Sequence, residues 1–204
     1  LEIISRFLRE YEKDNLTKLR DEKAEQFYKF NGSEGKDLFT YIHQNPLTTV
    51  PRLEKSLSHV KEKHGIVKFI ECGSGIAIYT YLAATLYGRD HTQQMQGYFH
   101  AIELQEDLCS KSRSLFYFLD GYDGDYYKKY FDSLPRQSKN CIFNMDIMEV
   151  DFNKYNLIYF YQPFKDVKLG EKFEEKIHDE SLPGTVVIPC YKYSKFWNDK
   201  NKIR

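Results

Sequence analysis

Apolar positions follow two rhythms that divide the chain near residue 65. Upstream, Ile3, Ile4, Phe7, Leu8 and Tyr11 recur at helical spacing, and Leu16, Leu19, Phe27 and Phe30 continue it less regularly. This predicts helix over residues 1–30. Asn31-Gly-Ser-Glu-Gly35 breaks the pattern. A further helical turn over 37–43 is expected to stop at Pro46, and Pro51 to open a helix running to about Lys63, with Leu53, Leu57 and Val60 on one face. Downstream, short β-rich runs alternate with helix-compatible stretches. Strands are expected at 67–72, 98–103, 141–145, 156–161 and 185–190, with helices at 77–87, 105–118 and 166–179. The polar, glycine-bearing stretch 120–139 reads as a loop with part of a helix. Such alternation predicts an α/β fold, a doubly wound and mostly parallel sheet. Residues 1–64 would form an N-terminal helical cap over its ligand edge, and residues 65–204 the α/β domain.

The most telling segment is Val67-Lys-Phe-Ile-Glu-Cys-Gly-Ser-Gly-Ile-Ala77. A β-rich run closes on a carboxylate, enters a tight glycine turn, and opens into an apolar, helix-compatible stretch. Glycine suits such a turn because the backbone must adopt positive φ and approach a ligand that a Cβ would hit. Two more acidic residues fall where a parallel sheet would present them: Glu103 closes the second strand, and Asp146 follows the third. The carboxyl ends of parallel strands share one edge, where ligands bind in the crevice. A carboxylate at the second strand's end can accept from both ribose hydroxyls, and one at the third from an exocyclic amine. Each also has a plainer use. Glu71 can serve the dipole of the following helix, Glu103 can be a first-turn carboxylate, and Asp146 can cap a turn, with Asp151 as a competitor.

These residues resemble the class I S-adenosylmethionine-dependent methyltransferase family. Its first motif resembles Glu71-Cys72-Gly73-Ser74-Gly75-Ile76-Ala77, with Ala77 where a third glycine is common. Its second resembles Ala101-Ile102-Glu103-Leu104, its third Asn144-Met145-Asp146-Ile147, and its fourth the segment from Asn156 to Phe164. The likeness covers about residues 66–190. It implies a Rossmann-like methyltransferase fold that binds S-adenosyl-L-methionine. Gly73, Ser74 and Gly75 would approach the methionine part, and Glu71 would lie near its amino group. Glu103, in its motif with Leu104, would take the ribose, and Asp146 with the Ile147 N–H the adenine. Tyr161, Gln162 and Phe164 would line the acceptor side, in the catalytic position. Two departures stand out. Glu103 lies 28 residues beyond Gly75, against about 20 in the related dinucleotide fingerprint, an excess that the polar loop 88–96 accounts for. The family's closing antiparallel strand pair has only Tyr191 to Arg204 to draw on.

The fourth motif bears on the acceptor. Tyr161-Gln162-Pro163-Phe164 stands where adenine amino-methyltransferases carry Asn/Asp-Pro-Pro-Tyr/Phe, but the second proline is absent and Gln is longer than Asn or Asp. Similar endings occur in non-SET protein lysine methyltransferases. Thirty Lys+Arg balance thirty Asp+Glu, for a formal net charge of +0, which speaks against general nucleic-acid affinity. The expected acceptor is therefore a protein or small molecule before a nucleic acid. The basic, aromatic tail from Tyr191 mimics a single-strand-binding surface, although a frayed edge explains it equally well. The alternative function is a non-catalytic relative acting as a binding or scaffold protein. An NAD-dependent oxidoreductase is disfavoured, because Ile78 stands where its fingerprint wants glycine. Cys72, Cys109, Cys141 and Cys190 lack zinc or disulfide spacing and read as small hydrophobes in a reducing, cytoplasmic setting. His59, His64, His91, His100 and His178 show no ligand spacing, so no metal site is expected. His43, near Pro46, could reach a pocket, although a surface or packing role is the plainer expectation. No run approaches the ~18 apolar residues of a membrane span, and no signal peptide is visible.

Overall fold

The computed structural model describes residues 46–87, 97–110, 112–113, 141–190 and 194–198. The helix expected over 1–30, the break at 31–35, the turn at 37–43, the loop 88–96, the stretch 120–139 and most of the tail lie outside these residues. The chain divides into two compact units, Leu1–Gln44 and Asn45–Arg204, and everything below concerns the second.

Five strands form one parallel sheet: β1 (Val67–Cys72), β2 (Gly97–Glu103), β3 (Ile142–Asn144), β4 (Leu157–Phe160) and β5 (Val186–Pro189). Their order is β3-β2-β1-β4-β5, every pair parallel. Each strand coincides with a segment expected from the sequence to within a residue or two. The sheet is doubly wound. Because successive side chains alternate in direction, Phe69 and Glu71 face one side while Ile70 and Cys72 face the other. On the first side lie α1 (Pro46–His64) and α2 (Ile78–Tyr87), packed on each other and on β1. Leu53, Leu57 and Val60 of α1 are fully buried. Tyr79 of α2 stacks at 4.7 Å on Tyr159 of β4. Over the second side lies α4 (Val167–Glu180), while the short helix α3, helical at 106–110 and 112–113, connects β2 to β3. Phe173 and Ile177 of α4 close over Ile70, Cys72, Ile158 and Phe160.

Two details depart from the sequence reading. Pro51 does not start its helix: α1 begins five residues earlier, at Pro46, with Pro51 inside it. Proline suits the first helical position, since it lacks an N–H that would be orphaned there. Inside α1, Pro51 has no N–H to give to the carbonyl four residues back, and its ring crowds that carbonyl. Second, the chain between β3 and β4 is not a bare connection. It makes two 3-10 turns, Ile147–Glu149 and Phe152–Lys154. Their Ile147, Val150 and Phe152 are buried in the second core. They do the work of a crossover helix in carrying the chain past β2 and β1. Helix α1, expected within the segment 1–64, packs on the sheet and belongs to the unit Asn45–Arg204.

Candidate functional site

The switch point of this sheet lies between β1 and β4, where the chain's connections diverge in opposite directions. There the turn after β1 and the turn after β4 touch. Gly73 has φ +65°, and a Cβ built on it would stand 3.0 Å from Pro163 Cβ. Gly75 (φ +56°) and Ala77 (φ +56°) complete a turn with three left-handed residues. The Ser74 N–H donates to the Ile102 carbonyl (2.9 Å) and the Ala77 N–H to the Ser74 carbonyl (2.8 Å), tying the turn to β2. Ser74 is 8% exposed, and its Oγ is buried without a hydrogen-bond partner.

Glu103 holds the turn from the β2 side. Its Oε2 accepts the Gly75 N–H at 2.9 Å and its Oε1 the Gln105 N–H at 3.0 Å. The side chain is 7% exposed, and burial pushes its pKa up, with the Gln105 and Gly75 amides offsetting part of the rise. Asn144 at the end of β3 spends both amide hydrogens on this segment, donating to the Glu103 carbonyl (3.1 Å) and the Leu104 carbonyl (2.7 Å). Leu104 itself is 63% exposed beside the buried carboxylate.

Glu71, 3% exposed, points into the first core. Its Oε2 accepts both the Thr80 N–H and the Thr80 hydroxyl, each at 2.7 Å, in the first turn of α2. Burial drives its pKa up to about 8, against the lowering pull of the Thr80 hydroxyl and the Thr80 and Tyr79 amides; Glu103 adds a smaller upward push. Asp146 caps the first 3-10 turn, its Oδ1 accepting the Met148 N–H at 2.9 Å, and Ile147 behind it is buried.

After β4, Tyr161 is half-buried and Gln162 exposed. Gln162 has φ +36°, a left-handed conformation uncommon for a residue with a Cβ and typical of sites that store backbone strain. The Phe164 ring packs edge-on against Phe173 at 5.7 Å, so it braces this turn on the second core. Cys72, Cys109, Cys141 and Cys190 are all reduced, outside any disulfide. Burial pushes Cys72 well up and Cys109 to about 11. His100 is half-buried, its Nδ1 2.9 Å from the Tyr155 hydroxyl. Among the described residues no cluster of His, Cys, Asp or Glu can hold a metal ion, and no helix is long and apolar enough to cross a membrane.

The structure gathers Glu71, Gly73, Ser74, Gly75, Glu103 and Leu104 around one turn, with Asp146 and Ile147 following the neighbouring β3. Sequence reasoning did not find Thr80, which holds Glu71, nor Asn144's grip on the second motif. A hydroxyl two residues into an apolar helix and an amide at a strand end carry no local signal of such roles.

No protein-family model matches the sequence, and no curated protein matches it. Solved structures do. An RNA methyltransferase from Salinibacter ruber, in complex with S-adenosyl-L-homocysteine, is 18% identical over 68% of this chain and 73% of its own, with a TM-score of 0.39. The plantazolicin methyltransferase BpumL, bound to the same product, is 11% identical over 83% of this chain and 58% of its own (TM-score 0.48). A methyltransferase from Thiobacillus denitrificans is 11% identical over 66% of this chain and 47% of its own (TM-score 0.38). The chain thus spans less than two thirds of the last two. Its sheet, five parallel strands in the order β3-β2-β1-β4-β5 with helices on both faces, has the doubly wound Rossmann-like fold.

Proposed function

We propose that this protein is an S-adenosylmethionine-dependent methyltransferase acting on a protein or small-molecule acceptor. The observation that carries the reading is the glycine turn after β1 pinned by the buried carboxylate that ends β2. The site suits that cofactor in three ways. Glu103 sets a two-oxygen acceptor at the end of β2, suited to the two hydroxyls of a ribose diol. Gly73 and Gly75 leave the turn without side chains where a ligand would approach it. The orphaned Ser74 Oγ is a buried polar group wanting a partner, the kind of group a bound ligand satisfies.

When bound, the cofactor supplies a sulfonium that already activates the methyl group. The protein's part is then positioning. Glu103 would hold the ribose, Asp146 with the Ile147 N–H the adenine, and exposed Leu104 would offer an apolar surface beside them. Glu71 would meet the amino group, giving up its proton to do so. Tyr161 and Gln162 would present the acceptor, with Phe164 bracing their turn. The formal charge balance and the missing second proline support a protein or small molecule over a nucleic acid.

Titration calorimetry with S-adenosylhomocysteine tests this. Micromolar binding is expected, with NAD silent and Glu103→Gln weakened at least tenfold while its melting temperature shows it folded. Failure of the intact, folded protein to bind would overturn the proposal.

A further inference from the structure

Ser112 belongs to none of the four motifs, yet it reaches the glycine turn. It sits on α3, fully buried, with its hydroxyl 2.8 Å from the Leu108 carbonyl and 3.2 Å from the Gly75 carbonyl. A helical serine commonly returns its proton to the carbonyl four residues back. Here that bond is shared, in a three-centre arrangement, with a loop 37 residues away in sequence. Gly75 is thereby held from both sides, its N–H by Glu103 and its carbonyl by Ser112.

The two halves of the site are supported unequally. Glu103 is fixed independently of the turn, by the Gln105 amide, by Asn144 on its carbonyl and by the Cys109 thiol on the same carbonyl (3.4 Å). The turn, by contrast, has glycines at 73 and 75, whose backbones are free to take other conformations, and the Ser112 hydroxyl ties it to α3.

We propose that Ser112 is a positioning residue that sets the glycine turn for the methionine portion of the cofactor. This rests on the methyltransferase reading. It acts through the Gly75 carbonyl and leaves the nucleoside half of the site, anchored by Glu103, unaffected.

Calorimetry on the full chain with two probes separates the outcomes. S-adenosylhomocysteine carries the amino-acid portion, whereas 5′-methylthioadenosine shares the nucleoside and sulfur but lacks it. Ser112→Ala is expected to weaken the first about five- to tenfold, the worth of one buried hydrogen bond, and to leave the second within about twofold. Equal weakening of both probes, no weakening of either, or loss of folding in Ser112→Ala would assign the residue to the core and overturn the proposal. Wild-type protein that binds neither probe would instead count against the methyltransferase reading itself.

Discussion

Glu71 offers a sharp test of the site's electrostatics, because a neutral isostere isolates the effect of its charge. In the folded protein its pKa stands at about 8, against an ordinary 4.5. A carboxyl whose folded pKa is raised holds its proton longer in the folded state than in the unfolded chain. Its contribution is therefore undiminished below pH 4.5, falls away as pH rises, and is fully lost above about 8. Those two values put the loss at about 1 kcal/mol at pH 5 and on the order of 3 kcal/mol at pH 7, at 1.36 kcal/mol per pKa unit. Glu71→Gln keeps an oxygen to accept from Thr80 and cannot ionise. Urea denaturation of both proteins at pH 5, 6, 7 and 8 should show the variant gaining on the wild type throughout, by on the order of 2 kcal/mol between pH 5 and pH 7. The sign matters more than the size. A stability difference that stayed flat with pH, or one that moved in the wild type's favour as pH rose, would refute the reasoning.

The same proton bears on ligand binding. If the cofactor's ammonium meets an ionised Glu71, affinity for S-adenosylhomocysteine should rise between pH 6 and pH 8, by at most about tenfold per unit, and Glu71→Gln should flatten the slope; calorimetry across that range checks both. Gly73→Ala places a methyl 3.0 Å from Pro163 Cβ at φ +65°. It should lower stability by about 1–2 kcal/mol, read from thermal denaturation, and weaken the homocysteine ligand more than 5′-methylthioadenosine.

The elements that could be read from the chain are those with a strong local rhythm. Val67, Phe69 and Ile70 announce β1 because a central parallel strand is buried on both faces. Leu53, Leu57 and Val60 announce α1 because a helix lying on a sheet buries one stripe. Glu71 and Glu103 stood out as candidates because each ends a strand beside a glycine turn, and the structure brings both to that turn. The 3-10 turns between β3 and β4 were not, since three residues establish no period and their burial depends on the sheet beneath them. The start of α1 was misplaced because Pro46 and Pro51 are both acceptable helix openers, and only packing decides between them. Thr80, Asn144 and Ser112 escaped for a common reason. Thr80 meets a side chain of the preceding strand, and Asn144 and Ser112 the backbone of a distant segment; none of these bonds has a signature until the chain is folded.

The position of β1 at the middle of the sheet has a consequence for how the protein is made. Val67 pairs with Gly97, and Phe69 with Leu157. The first strand of the domain to leave the ribosome thus lacks its second neighbour until 88 more residues (157 − 69) have been added. At roughly 5–20 residues per second, that delay is about 4 to 18 seconds. Through it Val67, Phe69 and Ile70, all fully buried in the finished protein, sit on an open edge. Synthesis therefore exposes a sticky strand for far longer than it takes to form a helix, and chaperones that shield extended apolar segments have their opening in this interval.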